Sequence, residues 1–121
     1  MLILLAHGSR DPRWRESIHI LKERVAEHLP NEAVEVAFMQ FDGPNLPEVV
    51  EAAAQAGHGT FHLLPLFMAS AGHVDKDIKP LVTELSETHP ELELTVLTPV
   101  GEDPLFPRVI ADIVSGPSAE S

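Results

Sequence analysis

Two histidines stand beside glycines at distant points of the chain, in His7-Gly8-Ser9-Arg10 and in Met68-Ala69-Ser70-Ala71-Gly72-His73. A neutral imidazole binds first-row divalent metals, and because it titrates near neutrality it also accepts a proton. An adjacent glycine lets backbone N–H groups approach a ligand without a Cβ in the way. The chain has no cysteine, which excludes a disulfide framework, a thiolate metal site, an Fe–S cluster and a cysteine nucleophile. Any metal is therefore held by nitrogen and oxygen. The other five histidines read differently. His19 and His28 fall in a predicted helix, and His58 and His89 fall at helix ends, where an imidazolium meets the C-terminal dipole. His62 projects from a predicted strand and reads as packed or hydrogen-bonded.

The cations are also unevenly placed. Arg10, Arg13 and Arg15 follow the first histidine, and Lys76 and Lys79 follow the second, which is five of the eight Lys and Arg residues. Either they are solvated helix-start residues or they steer an anionic ligand to an otherwise acidic protein. Asp75 and Asp77 bind metal or cap the helix that follows.

The elements that must carry these residues alternate regularly. Leu2 to Ala6 is a continuous apolar run, as in a strand buried on both faces. Asp11-Pro12 starts a helix whose Trp14, Ile18, Leu21 and Val25 share one face, and the helix runs to about Leu29. A second strand runs from Val34 to about Gln40, and Asn45, Pro47 and Glu48 open a helix that reaches Ala56 before Gly57. Thr60 to Leu66 is the third strand, Met68 to Val74 a loop, and Asp75 to Thr88 a helix with Pro80 inside it. Leu92 to Leu97 is the fourth strand, and Asp103-Pro104 caps a last helix to about Val114.

This βαβαβαβα order predicts an α/β fold: one four-stranded parallel sheet with helices on both faces, flavodoxin-like, in the order 2-1-3-4. Residues 1–115 form one domain and 116–121 a disordered tail. In such a sheet ligands bind beyond the carboxyl ends of the strands where strand order reverses, here between strands one and three. The fold thus brings the His7 loop beside the His73 loop.

Composition narrows the partners. The chain of 121 residues carries 19 Asp and Glu against 8 Lys and Arg, a formal charge of −11, the opposite of a nucleic-acid-binding surface. No apolar run approaches the ~20 residues that span a bilayer. The N-terminus has no basic region ahead of an apolar stretch, as a secretory signal would. The expectation is a soluble cytoplasmic protein with no membrane or nucleic-acid partner.

Leu5-Ala6-His7-Gly8-Ser9-Arg10, Met39-Gln40-Phe41 before Pro44, and Pro65-Leu66-Phe67-Met68 through Gly72-His73-Val74-x-x-Asp77-Ile78 resemble the small CbiX-type sirohydrochlorin chelatases, of the class II chelatase family. Pro99-Val100-Gly101 and the helix after it fit as well, so the resemblance covers about residues 2 to 114. It implies an ATP-independent lyase that inserts Co²⁺ into sirohydrochlorin, a polycarboxylate tetrapyrrole, on the route to cobalamin. Related enzymes insert iron or nickel. No cofactor is implied beyond the divalent metal substrate. The short members look like half of a larger two-lobed chelatase and act as homodimers. By position, His7 and His73 match the metal-binding histidines, with His7 also the proton acceptor. The substrate-binding positions are Gly8, Ser9 and Arg10 in the first loop, and Met68, Ala69, Ser70, Ala71 and Gly72 in the second. Two positions depart from the family pattern: Gln40 and Gly43 stand where it often carries glutamate, leaving Asp42 as the nearby carboxylate.

Two rival readings use the same residues. Phosphoryl transfer through a histidine nucleophile normally places Arg just before His-Gly, and this chain has Ala6 there. A non-enzymatic metal carrier would bind metal through the same histidines and ignore tetrapyrroles.

Overall fold

The computed structural model describes residues 1–69, 72 and 74–116. Four strands, β1 (Leu2–Ala6), β2 (Val34–Phe38), β3 (Thr60–Pro65) and β4 (Glu93–Val96), form one parallel sheet in the order β2-β1-β3-β4. The strands alternate with α1 (Pro12–His28), α2 (Leu46–Gln55) and α3 (Lys79–Thr88), and α4 (Phe106–Ser115) closes the described chain. Strand order and parallel pairing are as the sequence predicts. No helix among the described residues is long and apolar enough to cross a membrane.

Helix starts follow local chemistry. Asp11 accepts the Arg13 N–H at 2.9 Å as the N-cap of α1, with Pro12 in the first turn. Asn45 and Glu48 form a reciprocal capping box on α2, with bonds of 2.9 and 2.8 Å.

The two sheet faces are buried unequally. Ile3, Leu5, Ala37, Phe61 and Leu63 pack under Leu46, Val49, Val50 and Ala53 of α2 and Leu85 of α3. On the opposite face Leu4, Ala6, Val36 and Phe38 meet Ile18 of α1. Of the four apolar residues predicted to share the buried face of α1, only Ile18 is buried; Trp14 and Leu21 remain 41% and 38% exposed.

Several boundaries differ from the sequence expectation. The third helix does not begin at Asp75: Val74–Ile78 winds as one π-helical turn, and α3 starts at Lys79. Pro80 therefore lies in the first turn of α3, where its missing N–H leaves no intrahelical bond broken. The N-cap position of α3 is Ile78, which makes no side-chain cap hydrogen bond, and the Asp75 side chain lies outside the described residues. The last helix begins at Phe106, after a 3₁₀ turn at Val100–Glu102, and Asp103 instead accepts the Leu105 N–H at 2.8 Å. Strands two, three and four are each shorter at the carboxyl end than expected, stopping at Phe38, Pro65 and Val96. The predicted tail lies, from residue 117 on, outside the described residues.

Candidate functional site

The carboxyl ends of the strands are stitched together by the backbone. Leu66 N–H donates to Leu5 O at 2.8 Å, Met39 N–H to Ala6 O at 2.9 Å, and Gly101 N–H to Phe67 O at 2.9 Å. His7, one residue past β1, is thereby brought against Phe67, two past β3. Their rings stack with centroids 4.4 Å apart and planes at 20°. The His7 carbonyl accepts a hydrogen bond from the Trp14 indole Nε1–H, which ties the loop to the first turn of α1. His7 is half-buried and Phe67 buried, so the imidazole has a fixed aromatic floor.

A cavity of about 520 Å³ opens over this pair. Met39 and Gln40 from the end of β2 line it on one side, and Lys76, Asp77, Pro80 and Leu81 on the other. The π-helical turn thus places an ammonium and a carboxylate around the cavity that His7 enters. Gly72 has a φ of +86°, and its carbonyl accepts the Lys76 N–H at 2.9 Å, which starts that turn. Met68 and Ala69 are exposed and are not among the residues lining this cavity. Ser70, Ala71 and His73 lie outside the described residues. Among the described residues no three His, Asp or Glu side chains converge as a metal-binding group.

A second cavity of about 480 Å³ adjoins the first loop, lined by Ser9, Arg10, Pro12, Arg15, Phe41 and Asp42. The Arg10 guanidinium sits 4.9 Å from the centre of the Phe41 ring, a cation–π contact. Phe41 is 59% exposed and holds a φ of 66°, a left-handed conformation uncommon for a bulky residue. Asp42 accepts the Ser9 N–H at 3.0 Å and lies 3.8 Å from the Arg15 guanidinium. Its side chain is 8% exposed. This carboxylate therefore ties the first loop to the loop after β2 and is not among the groups lining the His7 cavity. Asp77 is the carboxylate that does line it.

Four of the five clustered cations divide by what they touch. Arg13 forms a forked pair with Asp11, with a shortest N–O distance of 2.6 Å. The Arg13 guanidinium, with its backbone N–H, holds the Asp11 carboxyl below the usual carboxylate range, and Asp11 in turn raises the Arg13 pKa. Arg15 lies near Asp42 and lines the second cavity with Arg10, and Lys76 lines the first. The remaining histidines have structural contacts where contacts are resolved: His19 sits edge-on to Phe38, and His89 lies 3.4 Å from Glu51.

Two glycines, Gly8 beside His7 and Gly101 in the loop after β4, let loop backbones meet closely. A Cβ on Gly8 would lie 1.4 Å from the Gln40 carbonyl oxygen, and one on Gly101 would lie 2.1 Å from that of Met68. Both allow one loop backbone to press on another, so they shape the site by packing its walls. The Gly101 role and the Phe67 floor were missed in the sequence. Phe67 sits inside an apolar run with nothing in its spacing to mark it, and Gly101 lies 33 residues from the loop it accommodates.

A family model described as CbiX matches residues 1–116. The chain belongs to the CbiX family. Among relatives, this CbiX chain is 33% identical to a sirohydrochlorin cobaltochelatase of Methanocaldococcus jannaschii over 88 residues, 73% of the chain and 62% of that protein. It is 28% identical to a sirohydrochlorin cobaltochelatase of Sulfolobus acidocaldarius, covering 93% of the chain and 85% of the relative. A crystal structure of a CbiX protein of cobalamin (vitamin B12) biosynthesis from Marinobacter aquaeolei VT8 superposes with a TM-score of 0.84 at 33% identity, covering 99% of this chain and 95% of that one. The sirohydrochlorin chelatase SirB of Bacillus subtilis subspecies spizizenii, solved with cobalt, shares the fold at a TM-score of 0.77 and 22% identity. The CbiX chain covers 84% of itself and 44% of SirB in that superposition.

Proposed function

We propose that this CbiX protein is a sirohydrochlorin cobaltochelatase, a lyase that inserts Co²⁺ into the tetrapyrrole without ATP. The family membership across residues 1–116, with cobaltochelatases among the relatives, carries the reading. The site chemistry supports it. Insertion exchanges one divalent ion for the two pyrrole N–H protons, so charge is conserved at the ring. His7, held flat on Phe67, binds the incoming ion or takes a proton. One imidazole does not do both at the same instant, so these are successive acts. His73 is assigned as the second metal donor on the family motif. Arg10 and Lys76, on the two cavities, pair with the carboxylates of the substrate. Gly8, Ser9 and the Met68–Gly72 segment line the macrocycle. The metal is substrate, and no further cofactor enters the reaction.

The reading includes a cytoplasmic homodimer. A macrocycle exceeds what one open cavity of this domain encloses, and a second copy would cover its outer face. A second metal is favoured by one specific relative: the chain is 23% identical to a sirohydrochlorin ferrochelatase of Priestia megaterium over 94% of its length, covering 43% of that protein. The test is the absorbance of sirohydrochlorin mixed with purified protein and Co²⁺, then Fe²⁺ and Ni²⁺, against protein-free controls. Fastest metallation with cobalt is expected. A faster rate with iron or nickel reassigns the metal, and no acceleration with any ion, from folded metal-binding protein, overturns the enzyme and leaves a metal carrier.

A further inference from the structure

The single tryptophan sits where helix packing does not explain it. Trp14 was expected on the buried face of α1, yet it is 41% exposed, and Ile18 is the residue that anchors α1 on the sheet. An indole this open to solvent can give its N–H to water. Instead Trp14 Nε1–H donates to the carbonyl of His7. Trp14 lines neither the His7 cavity nor the Arg10 cavity, so it is placed to act on His7 and not on a ligand. Its own backbone closes the circuit. Trp14 N–H donates to Asp11 O at 3.0 Å, and Asp11 N–H donates to Ser9 Oγ at 3.1 Å. The first turn of α1 therefore returns to the loop that it follows.

The bond falls where the loop needs it. Before His7, the carbonyls of Leu5 and Ala6 are held by Leu66 and Met39 N–H, and after it Ser9 N–H is held by Asp42. The peptide between them joins His7 to Gly8, and glycine restricts its own φ least of all residues, so that peptide must be oriented from outside. Its plane sets ψ of His7, and the rotamers open to a side chain depend on φ and ψ. We infer that Trp14 is a positioning residue: by fixing the His7–Gly8 peptide, its indole N–H holds the His7 imidazole on the Phe67 ring in the orientation that meets the metal and the pyrrole proton. This deepens the proposed chelatase and rests on it for the reaction, whereas the hold on the imidazole stands without it. A neutral hydrogen bond adds little to stability, but a misplaced reacting group loses rate steeply, about a hundredfold for 1 Å. The consequence is therefore expected in rate and in metal binding more than in the fold.

The test removes the donor in two ways in the full chain. Trp14→Phe shortens the ring system, and 3-benzothienylalanine at position 14 keeps the bicyclic shape with sulfur in place of N–H. Circular dichroism and thermal unfolding check that both fold. In wild type, nuclear Overhauser contacts join the His7 and Phe67 ring protons, and in both variants these are expected to weaken. Calorimetric titration with Co²⁺ alone should show the dissociation constant raised about tenfold. In the sirohydrochlorin assay kcat should fall about tenfold while KM for the tetrapyrrole stays within about twofold. In a His7→Ala background the same Trp14 changes should cost no further Co²⁺ affinity, because the imidazole they act through is gone. Ring contacts and Co²⁺ affinity that survive in the benzothienyl protein overturn the inference. So does a raised KM with kcat kept, which would put the indole against the substrate, and so does an equal loss of Co²⁺ affinity without His7, which would make Trp14 a residue of the fold at large. Wild type that fails to metallate sirohydrochlorin sinks the chelatase alone, since the ring contacts and the Co²⁺ titrations still decide Trp14.

Discussion

The imidazole of His7 lies face to face with the phenyl ring of Phe67, 4.4 Å between centroids, so the side chain assigned to metal and proton is oriented by an aromatic surface from the neighbouring strand end. Phe67 is 5% exposed. Phe67→Leu keeps the site apolar and removes the stack, at an expected cost of about 1 kcal/mol in stability. Metallation should fall by more than that loss of stability explains. Urea unfolding and the sirohydrochlorin absorbance assay, run on the same preparation, would show it. An unchanged rate would mean that the floor is packing alone.

His7→Ala and His73→Ala separate the assigned chemistry from the fold. Removing a positioned proton acceptor or metal donor should lower metallation at least about a hundredfold, with circular dichroism and unfolding midpoint close to wild type. His7→Ala should also weaken Co²⁺ binding in titration calorimetry. Retained turnover in both variants would move the chemistry elsewhere in the cavity, and Asp77 would then be the first residue to replace.

Much of this geometry was legible in the residue pattern, for a physical reason. Leu2 to Ala6 is an apolar run that a doubly covered strand buries, Thr60 to Pro65 buries its alternate residues Phe61, Leu63 and Pro65, and right-handed crossovers then force the loops after β1 and β3 together. The π-helical turn was not legible, because the helical spacing of Ile78, Val82 and Leu85 lies at or beyond its last residue and so reports only α3. For α4 the Asp103-Pro104 start signal predicted a helix, but such a signal does not report what covers the helix. Asp42 looked from its position like a substitute site carboxylate. Its engagement by the Ser9 N–H depends on a contact 33 residues away in sequence.

The helix cap at Asp11 makes a prediction about pH. Its carboxyl pKa is lowered by the Arg13 side chain and backbone N–H, so the folded state holds its charge more strongly than the unfolded chain does. Stability from this pair is therefore present above the ordinary aspartate value and lost as pH falls through the lower folded one. Asp11→Asn keeps a good N-cap and removes the charge. The unfolding temperatures of wild type and variant should differ slightly near neutrality and converge below about pH 4, as calorimetry across that range would record. A gap that persists in acid would assign the difference to the cap geometry instead.

Gly8 and Gly101 should be the least replaceable glycines. A methyl group on Gly8 meets the Gln40 carbonyl oxygen at 1.4 Å, and one on Gly101 meets Met68 backbone atoms at 2.1 to 2.5 Å. Neither neighbour is a side chain that can rotate away, so a loop backbone must move. Each alanine variant is expected to cost about 3 kcal/mol, the upper end for overpacking. Function should fail by different routes. Gly8→Ala pushes the Gln40–Asp42 segment off the first loop, breaking the Ser9–Asp42 bond that holds Arg10 beside Phe41. Gly101→Ala pushes on Met68, next to the Phe67 floor of His7. Urea unfolding reads the stability loss. Substrate titration should show weaker tetrapyrrole binding for Gly8→Ala, and metallation at saturating substrate should show the lower rate for Gly101→Ala. Equal losses in both assays would mean that the two loops move as one body.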